Sequence, residues 1–229
     1  VQSTARFGHA PFRPLHFTEM RDLGKFLMWF TLIFGVIGGV LYATLLDVWT
    51  LPSDDEAEIV SVAPNLAGGD VLLLSRHGEP HEGELLRCDD PDSPGRFVVA
   101  RMIGSSNDKI DVTGDTVRVN ERRKPSARAC PKVKLVHPTT GQEHEYDCHE
   151  EDFAGVEFRT LGRPEAAANA PPFSTVVAPG KVFIISDNRS THVDSRDFGT
   201  VDPNTCKHIV FRLFGEAGWF DTQTRMTLL

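Results

Sequence analysis

The sequence has few of the residues that mark the extreme classes of protein. Four cysteines among 229 residues are too few for a disulfide-dense scaffold. Basic residues are outnumbered by acidic ones, 24 against 32, and the net charge of −8 argues against a nucleic-acid-binding protein. No period of roughly 20–50 residues repeats, which excludes solenoids and propellers. Apolar residues still make up 40% of the chain, so it can bury a core.

One segment near the N-terminus is apolar enough to cross a membrane. Residues 26–46 read FLMWFTLIFGVIGGVLYATLL and contain no charged residue. At about 1.5 Å per residue, a helix of this length spans roughly 31 Å, the thickness of a bilayer core. Trp29 lies near one end, and Tyr42 and Trp49 lie near the other, where interfacial aromatic residues are common. We therefore predict one transmembrane helix over residues 26–46.

The charges on either side of this span predict its orientation. Four basic residues precede it: Arg6, Arg13, Arg21 and Lys25. Acidic residues follow it from Asp47 onward, and the next basic residue is Arg76. The positive-inside rule places residues 1–25 on the cytoplasmic or matrix side and the body in the periplasm or the intermembrane space. The chain begins with Val1 rather than Met, from which we expect a trimmed precursor, although a recombinant product would begin in the same way.

The body of the chain has the pattern of a mainly β protein. Short runs rich in Val, Ile and Phe are separated by Gly, Pro, Asn and Asp, and no long helical period follows the membrane span. We predict strands over residues 58–62, 70–76, 96–103, 116–119, 132–137, 156–161, 175–177, 181–186 and 207–214. The predicted organisation is a β core over residues 47–112 and 173–229, interrupted by an inserted subdomain over residues 113–172.

The segment 113–172 is more polar than its surroundings and contains Cys130 and Cys148. On the oxidising side of a membrane these two cysteines could form a disulfide. Zinc bound by both cysteines together with His144 and His149 is the alternative. Because that spacing matches no standard zinc pattern, we predict no metal. The remaining cysteines, Cys88 and Cys206, are interpreted as ordinary thiols.

Three motifs occur in a recognisable order along the body. Residues 61–66 read SVAPNL, residues 101–104 read RMIG, and residues 186–196 read SDNRSTHVDSR. Together with the preceding anchor, these motifs resemble the type I signal peptidase (leader peptidase) family, including its mitochondrial inner-membrane members. The resemblance covers roughly residues 58–112 and 175–215. It implies a signal-peptidase-like β-barrel core.

The resemblance also implies a reaction and identifies what this sequence lacks for it. Members of the family use a serine–lysine dyad, in which a neutral lysine accepts the proton of the attacking serine. Ser61 stands at the nucleophile position, but the lysine position is Ala100. Ile59 occupies the position of an oxyanion-stabilising hydroxyl. His192 replaces a serine that orients the lysine, and Ser186 replaces a glycine.

The last motif retains the residues that support the site in the family. Acidic and basic side chains alternate in this segment and could pair to hold a loop in place. The supporting residues are Asp187, Asn188, Arg189, Asp194 and Arg196. Their presence favours the fold and does not by itself indicate activity.

Three functions follow from these observations. The first is a catalytically impaired relative that serves as a structural or accessory subunit of an inner-membrane complex. The second is an active processing peptidase with Ser61 as nucleophile and His192 as base, because a histidine near its ordinary pKa can accept a proton at neutral pH. The third is a module that binds peptides without cleaving them.

The expected surroundings follow from the same observations. The predicted partners are the lipid bilayer and protein subunits of an inner-membrane complex, with a peptide substrate only if the protein is active. No nucleic acid and no cofactor are expected. The predicted location is the mitochondrial inner membrane with the body in the intermembrane space, and the alternative is a bacterial inner membrane with the body in the periplasm.

Overall fold

The computed structural model describes residues 17–123, 126–137 and 139–229. Two units are present, one ending at Thr44 and one over Leu45–Leu229. Within the first, helix α1 spans Phe17–Leu45 and includes the apolar stretch Leu23–Leu45 with a mean hydropathy of 2.0. Its length and composition suit a bilayer, as predicted. Arg6 and Arg13, which support the predicted orientation, lie outside the described residues.

The unit Leu45–Leu229 is built mostly from strands. They are β1 (Leu46–Thr50), β2 (Val71–Ser75), β3 (Leu85–Asp89), β4 (Phe97–Gly104), β5 (Lys109–Thr113), β6 (Thr116–Val119), β7 (Arg122–Arg123), β8 (Ser126–Val136), β9 (Glu143–Phe153), β10 (Val156–Gly162), β11 (Phe173–Val176), β12 (Phe183–Ile185), β13 (Cys206–Phe214) and β14 (Thr227–Leu228). Three short α-helices accompany them in the described part of this unit: α2 (Glu56–Val62), α3 (Pro164–Asn169) and α4 (Ser195–Phe198). The prediction of a mainly β protein after one N-terminal helix is therefore confirmed.

The largest sheet has seven strands in the order β1-β2-β13-β3-β4-β12, with β14 added to β13. All of its described pairs are antiparallel. Among the described strands, the edge strands β1 and β12 do not pair with each other, so the sheet is open and the predicted barrel is wrong. Closure would need an edge strand long enough to pair along its length, and β12 has only three residues.

Two smaller sheets complete the unit, in the orders β11-β5-β6-β7 and β10-β9-β8. They join the large sheet through one apolar cluster that includes Ile103 of β4, Ile110 of β5, Phe153 of β9 and Phe183 of β12. The segment predicted as an inserted subdomain supplies β6 to β10 and α3. It lies within the same compact unit as the rest of the body.

The strand predicted over residues 58–62 is wrong, because this segment forms helix α2. The Asp55 side chain caps the helix by accepting a hydrogen bond from the Glu58 N–H, at 3.2 Å. Glu56 places negative charge in the first turn, where the helix dipole favours it. These local contacts outweigh the strand preference of Ile59, Val60 and Val62. The other eight predicted strands overlap strands of the structure.

Both cysteine pairs form disulfides in the structure. Cys130 of β8 is bonded to Cys148 of β9, so these sulfurs are not thiolates available to zinc. Cys88 of β3 is bonded to Cys206 of β13, so their interpretation as thiols is wrong. The reason is the strand register, which places Cys206 directly opposite Cys88 although 118 positions separate them in sequence.

Candidate functional site

Ser61 lies near the end of α2 and is fully buried. Its Oγ is 2.8 Å from Ser186 Oγ and accepts a hydrogen bond from the Val193 N–H at 3.3 Å. Ser186 donates its own hydroxyl proton to the Val193 carbonyl oxygen. Either oxygen can be the donor in the contact between the two hydroxyl groups. The Ser61 hydroxyl is therefore hydrogen-bonded to Ser186 and Val193 within the protein.

The backbone around Ser61 is held by the last motif. The Asn188 N–H donates to the Ser61 carbonyl oxygen at 2.9 Å, and Asn188 Nδ2 donates to the Val60 carbonyl oxygen at 3.0 Å. Asn188 is itself fully buried. The structure thus brings the first and last motifs together, and it fixes the segment that carries the serine.

The position predicted for a proton acceptor contains only a methyl group. Ala100 lies in β4 and is 1% exposed. It belongs to an apolar cluster that also contains Leu86, Met102 and Ile184. Ile59, at the predicted oxyanion position, is half-buried and offers no hydroxyl. Neither of these side chains can accept or donate a proton.

His192 is oriented by an acidic residue that the sequence did not single out. Its Nδ1 lies 2.9 Å from Asp197 Oδ2 and 3.9 Å from Asp194 Oδ1. The imidazole side chain is 28% exposed. Its neighbour Val193 contacts Ser61, yet within the described chain no hydrogen bond joins the His192 ring to the Ser61 hydroxyl. His192 lies beside the serine segment, with one ring nitrogen paired to a carboxylate.

A buried ion pair connects the second motif to the third. Arg101 Nε and Nη2 donate to the two carboxylate oxygens of Asp187, each at 3.0 Å. Both side chains are 1% exposed. Arg101 Nη1 also donates to the Gly83 carbonyl oxygen, and the guanidinium lies 3.9 Å from the ring centre of Phe158. A two-point arginine–carboxylate contact of this kind sets both distance and orientation.

A second pair closes the loop that carries the last motif. Arg196 Nη2 donates to Asp194 Oδ2 at 2.7 Å, and Asp194 Oδ2 also accepts from the Ser186 N–H at 2.8 Å. Burial alone would raise the pKa of Asp194, but Arg196 and the hydrogen bonds outweigh it and hold the pKa below its ordinary value. Asp194 also caps α4, together with Asp197. Asp194 therefore remains a carboxylate that supports Ser186 and the loop.

Arg189 extends the network into the segment 113–172. Its Nη2 donates to Glu151 Oε2 at 3.1 Å, and its Nη1 donates to the Ser186 carbonyl oxygen at 3.1 Å. The guanidinium is almost fully buried. Sequence analysis did not identify Glu151, because it lies in the acid-rich strand β9, whose composition resembles an exposed loop.

Glu58 is the second residue that the sequence analysis missed. Its carboxyl group is buried, and Oε1 accepts a hydrogen bond from the Val99 N–H of β4. Burial is the main reason that its pKa rises to about 8, and the Val99 hydrogen bond opposes that rise. At neutral pH Glu58 is therefore mostly protonated and is a poor proton acceptor.

One group of side chains in the described chain has the spacing of metal ligands: His192, Asp194 and Asp197. Their atoms already have partners, because Asp194 is paired with Arg196 and His192 with Asp197. The arrangement fits an ion-pair network that stabilises a loop. It does not leave a free set of ligands for a cation.

These features define a class of protein, which is a membrane-anchored β domain with the serine segment and ion-pair loop of a serine peptidase. The chain belongs to the signal peptidase family, peptidase S26, whose family model matches residues 26–211. It is 30% identical over 105 residues to signal peptidase IB of Staphylococcus aureus, covering 45% of this chain and 46% of that protein. It is 23% identical over 145 residues to signal peptidase I of Streptococcus pneumoniae, covering 61% of this chain and 71% of that protein. The match to the Staphylococcus protein thus spans about half of its length.

Proposed function

We propose that this chain is a signal peptidase family member that has lost the proteolytic step and acts as a structural or accessory subunit of an inner-membrane protein complex. The proposal rests on two observations: the methyl group of Ala100 at the base position, and a Ser61 hydroxyl that is hydrogen-bonded to Ser186 and Val193. Loss of a general base lowers a rate by roughly 10²–10⁴. Loss of an oxyanion donor removes about another 10²–10³.

The proposed location is the mitochondrial inner membrane, with the body in the intermembrane space. The apolar helix Leu23–Leu45 supports membrane anchoring, and two disulfides support an oxidising compartment for the body. A bacterial inner membrane with a periplasmic body is the alternative. Protease treatment of mitochondria whose outer membrane has been opened tests the first location, since the body should then be digested while residues 1–25 stay protected.

The test of the proposed function uses the full chain in detergent and a synthetic leader peptide. We expect no cleavage that depends on Ser61, so the wild type and Ser61→Ala should give the same background rate. We also expect the protein to purify from its membrane with other subunits at a fixed ratio. Ser61-dependent cleavage, or release as a free monomer, would contradict the proposal.

One observation favours a second function, that of an active processing peptidase. The 2.9 Å contact between His192 Nδ1 and Asp197 Oδ2 is the kind of contact that orients a histidine base in serine peptidases. In this reading His192 accepts the Ser61 proton after Ser61 leaves its contact with Ser186. It predicts that His192→Ala abolishes Ser61-dependent cleavage while the protein still folds.

A further inference from the structure

The strand edge next to Ser61 is only partly paired. On one side, β4 pairs with β3 from Phe97 to Arg101. On the other side, β12 pairs with β4 only at Arg101, Met102 and Gly104. In the described chain, no strand therefore pairs with residues 97–100 on the side opposite β3. An unpaired strand edge presents backbone donors and acceptors that another extended chain can bind.

One backbone N–H of this stretch already donates a hydrogen bond to a side chain. The Val99 N–H donates to Glu58 Oε1, and Glu58 is 4% exposed. Helix α2, which carries Glu58, packs against β4. A carboxyl group thus takes the position where a carbonyl oxygen of a neighbouring strand would accept.

A cavity of about 550 Å³ lies beside this contact. Its walls include the rings of Trp49 and Phe97, and Glu58 itself lines it. Asp55 and Arg96 form an ion pair at the cavity. The cavity provides space next to the strand edge for side chains of a bound segment, or for Glu58 if it left Val99.

We propose that Glu58 is an autoinhibitory latch, whose carboxyl group occupies the Val99 N–H and keeps the 97–100 edge of β4 closed to an extended peptide. Withdrawal of Glu58 into the neighbouring cavity opens the edge, and a peptide backbone then pairs with β4. The latch concerns binding alone and operates whether or not Ser61 reacts.

The charges around Glu58 indicate how the latch responds to pH. Asp55 of the helix cap and Asp90 of the loop after β3 disfavour its ionised form, whereas Arg96 favours it. Asp54 also lines the cavity. An ionised carboxylate is poorly accommodated in a buried position, so a rise in pH above about 8, the pKa of Glu58, should favour release of the latch.

The first test measures the binding of a rhodamine-labelled ten-residue peptide containing an Ala-x-Ala segment. All variants carry Ser61→Ala, so cleavage cannot affect the result and failure of the proposed function stays distinguishable. Glu58→Ala should bind about tenfold more tightly or better, because it frees one hydrogen-bond donor from an internal competitor. Glu58→Gln keeps an acceptor for Val99 and should bind like the parent, as should Glu56→Ala on the exposed side of the same helix. Equal affinities for Glu58→Ala and Glu56→Ala would overturn the proposal.

The second test does not depend on whether Glu58→Ala folds. Peptide binding to the parent protein should rise between pH 7 and pH 9, and the protection factor of the Val99 amide, which corrects its exchange rate for intrinsic base catalysis, should fall over the same range. The Glu58→Gln variant should show neither change. Binding that is independent of pH in the parent, or that rises equally in Glu58→Gln, would overturn the proposal.

Discussion

The two sides of the site differ in what they have kept. The segment 187–196 retains its paired charges, each with a partner at 3.1 Å or less: Asp187 with Arg101, Arg189 with Glu151, and Asp194 with Arg196. The side formed by α2 and β4 has Ala100, Ile59 and a buried Ser61 whose hydroxyl is hydrogen-bonded within the protein. The buried charges of the first side are paired, whereas the side chains at positions 59 and 100 of the second side can neither accept nor donate a proton.

This difference has a physical basis. Removing one partner of a buried ion pair leaves an uncompensated charge, which is strongly destabilising. Replacing a catalytic lysine with alanine removes a buried amine and leaves an apolar position that packs well. A chain can therefore lose the reaction and keep its stability, but it cannot easily lose Arg101 or Asp187.

The largest effect is expected on the side that has kept its charges. Arg101→Ala leaves the buried Asp187 carboxylate without its partner and should lower the free energy of unfolding by about 3–5 kcal/mol. Denaturant unfolding of the body measures this change in the free energy of unfolding. Lys134→Ala is the matched control, because it breaks the exposed pair with Glu143 and should change stability by about 0–1 kcal/mol. Similar losses in the free energy of unfolding for the two variants would show that the buried ion pair contributes no more to stability than the exposed one.

A second variant introduces an amine at position 100, on the side formed by α2 and β4. Ala100→Lys introduces a long side chain into a close-packed apolar cluster and should destabilise the protein by about 1–3 kcal/mol. We expect no Ser61-dependent cleavage from this variant, because the Ser61 hydroxyl is still hydrogen-bonded to Ser186 and Ile59 supplies no oxyanion donor. Ala100→Met is the control for side-chain length without the amine. Cleavage by the lysine variant alone would mean that only the base has been lost.

The smallest effect, when it is taken over one pH unit, is a pH dependence on the same side. Glu58 has a pKa of about 8 in the folded protein and an ordinary value of 4.5, so the unfolded chain releases this proton first as pH rises. The stabilising contribution is complete below pH 4.5 and is lost as pH rises through 8, by up to about 1.4 kcal/mol per pH unit. Glu58→Gln should lack this decline and become the more stable protein at pH 8. Parallel stability profiles for the two proteins would show that Glu58 is not buried as a neutral acid.

Much of the fold could be predicted from local sequence patterns. The uncharged run over residues 26–46 predicts a helix, and eight of the nine apolar runs that were predicted as strands overlap strands. The exceptions depend on contacts that a local pattern does not contain. Helix α2 replaces a strand because Asp55 caps it, and the pairing of Cys88 with Cys206 depends on the register of β3 against β13. Strand β9 was missed because its acidic residues resemble a loop.

The site was predicted in part for a similar reason. The motif order places Ser61 close to the segment 186–196, and the structure joins them through Asn188 and Ser186. Burial of Glu58 and pairing of Arg189 with Glu151 each depend on a partner from a distant segment. A local sequence pattern cannot predict such pairs, because their partners come together only in the folded protein.

The most direct test of the central claim is the reaction of Ser61 with a fluorophosphonate probe, which phosphonylates activated serines with loss of fluoride. We expect the intact, folded protein to show no labelling at Ser61 by peptide mass spectrometry at neutral pH, matching Ser61→Ala, while an active serine peptidase in the same detergent is labelled. Stoichiometric modification of Ser61 that is lost in His192→Ala would contradict the account and establish a working nucleophile.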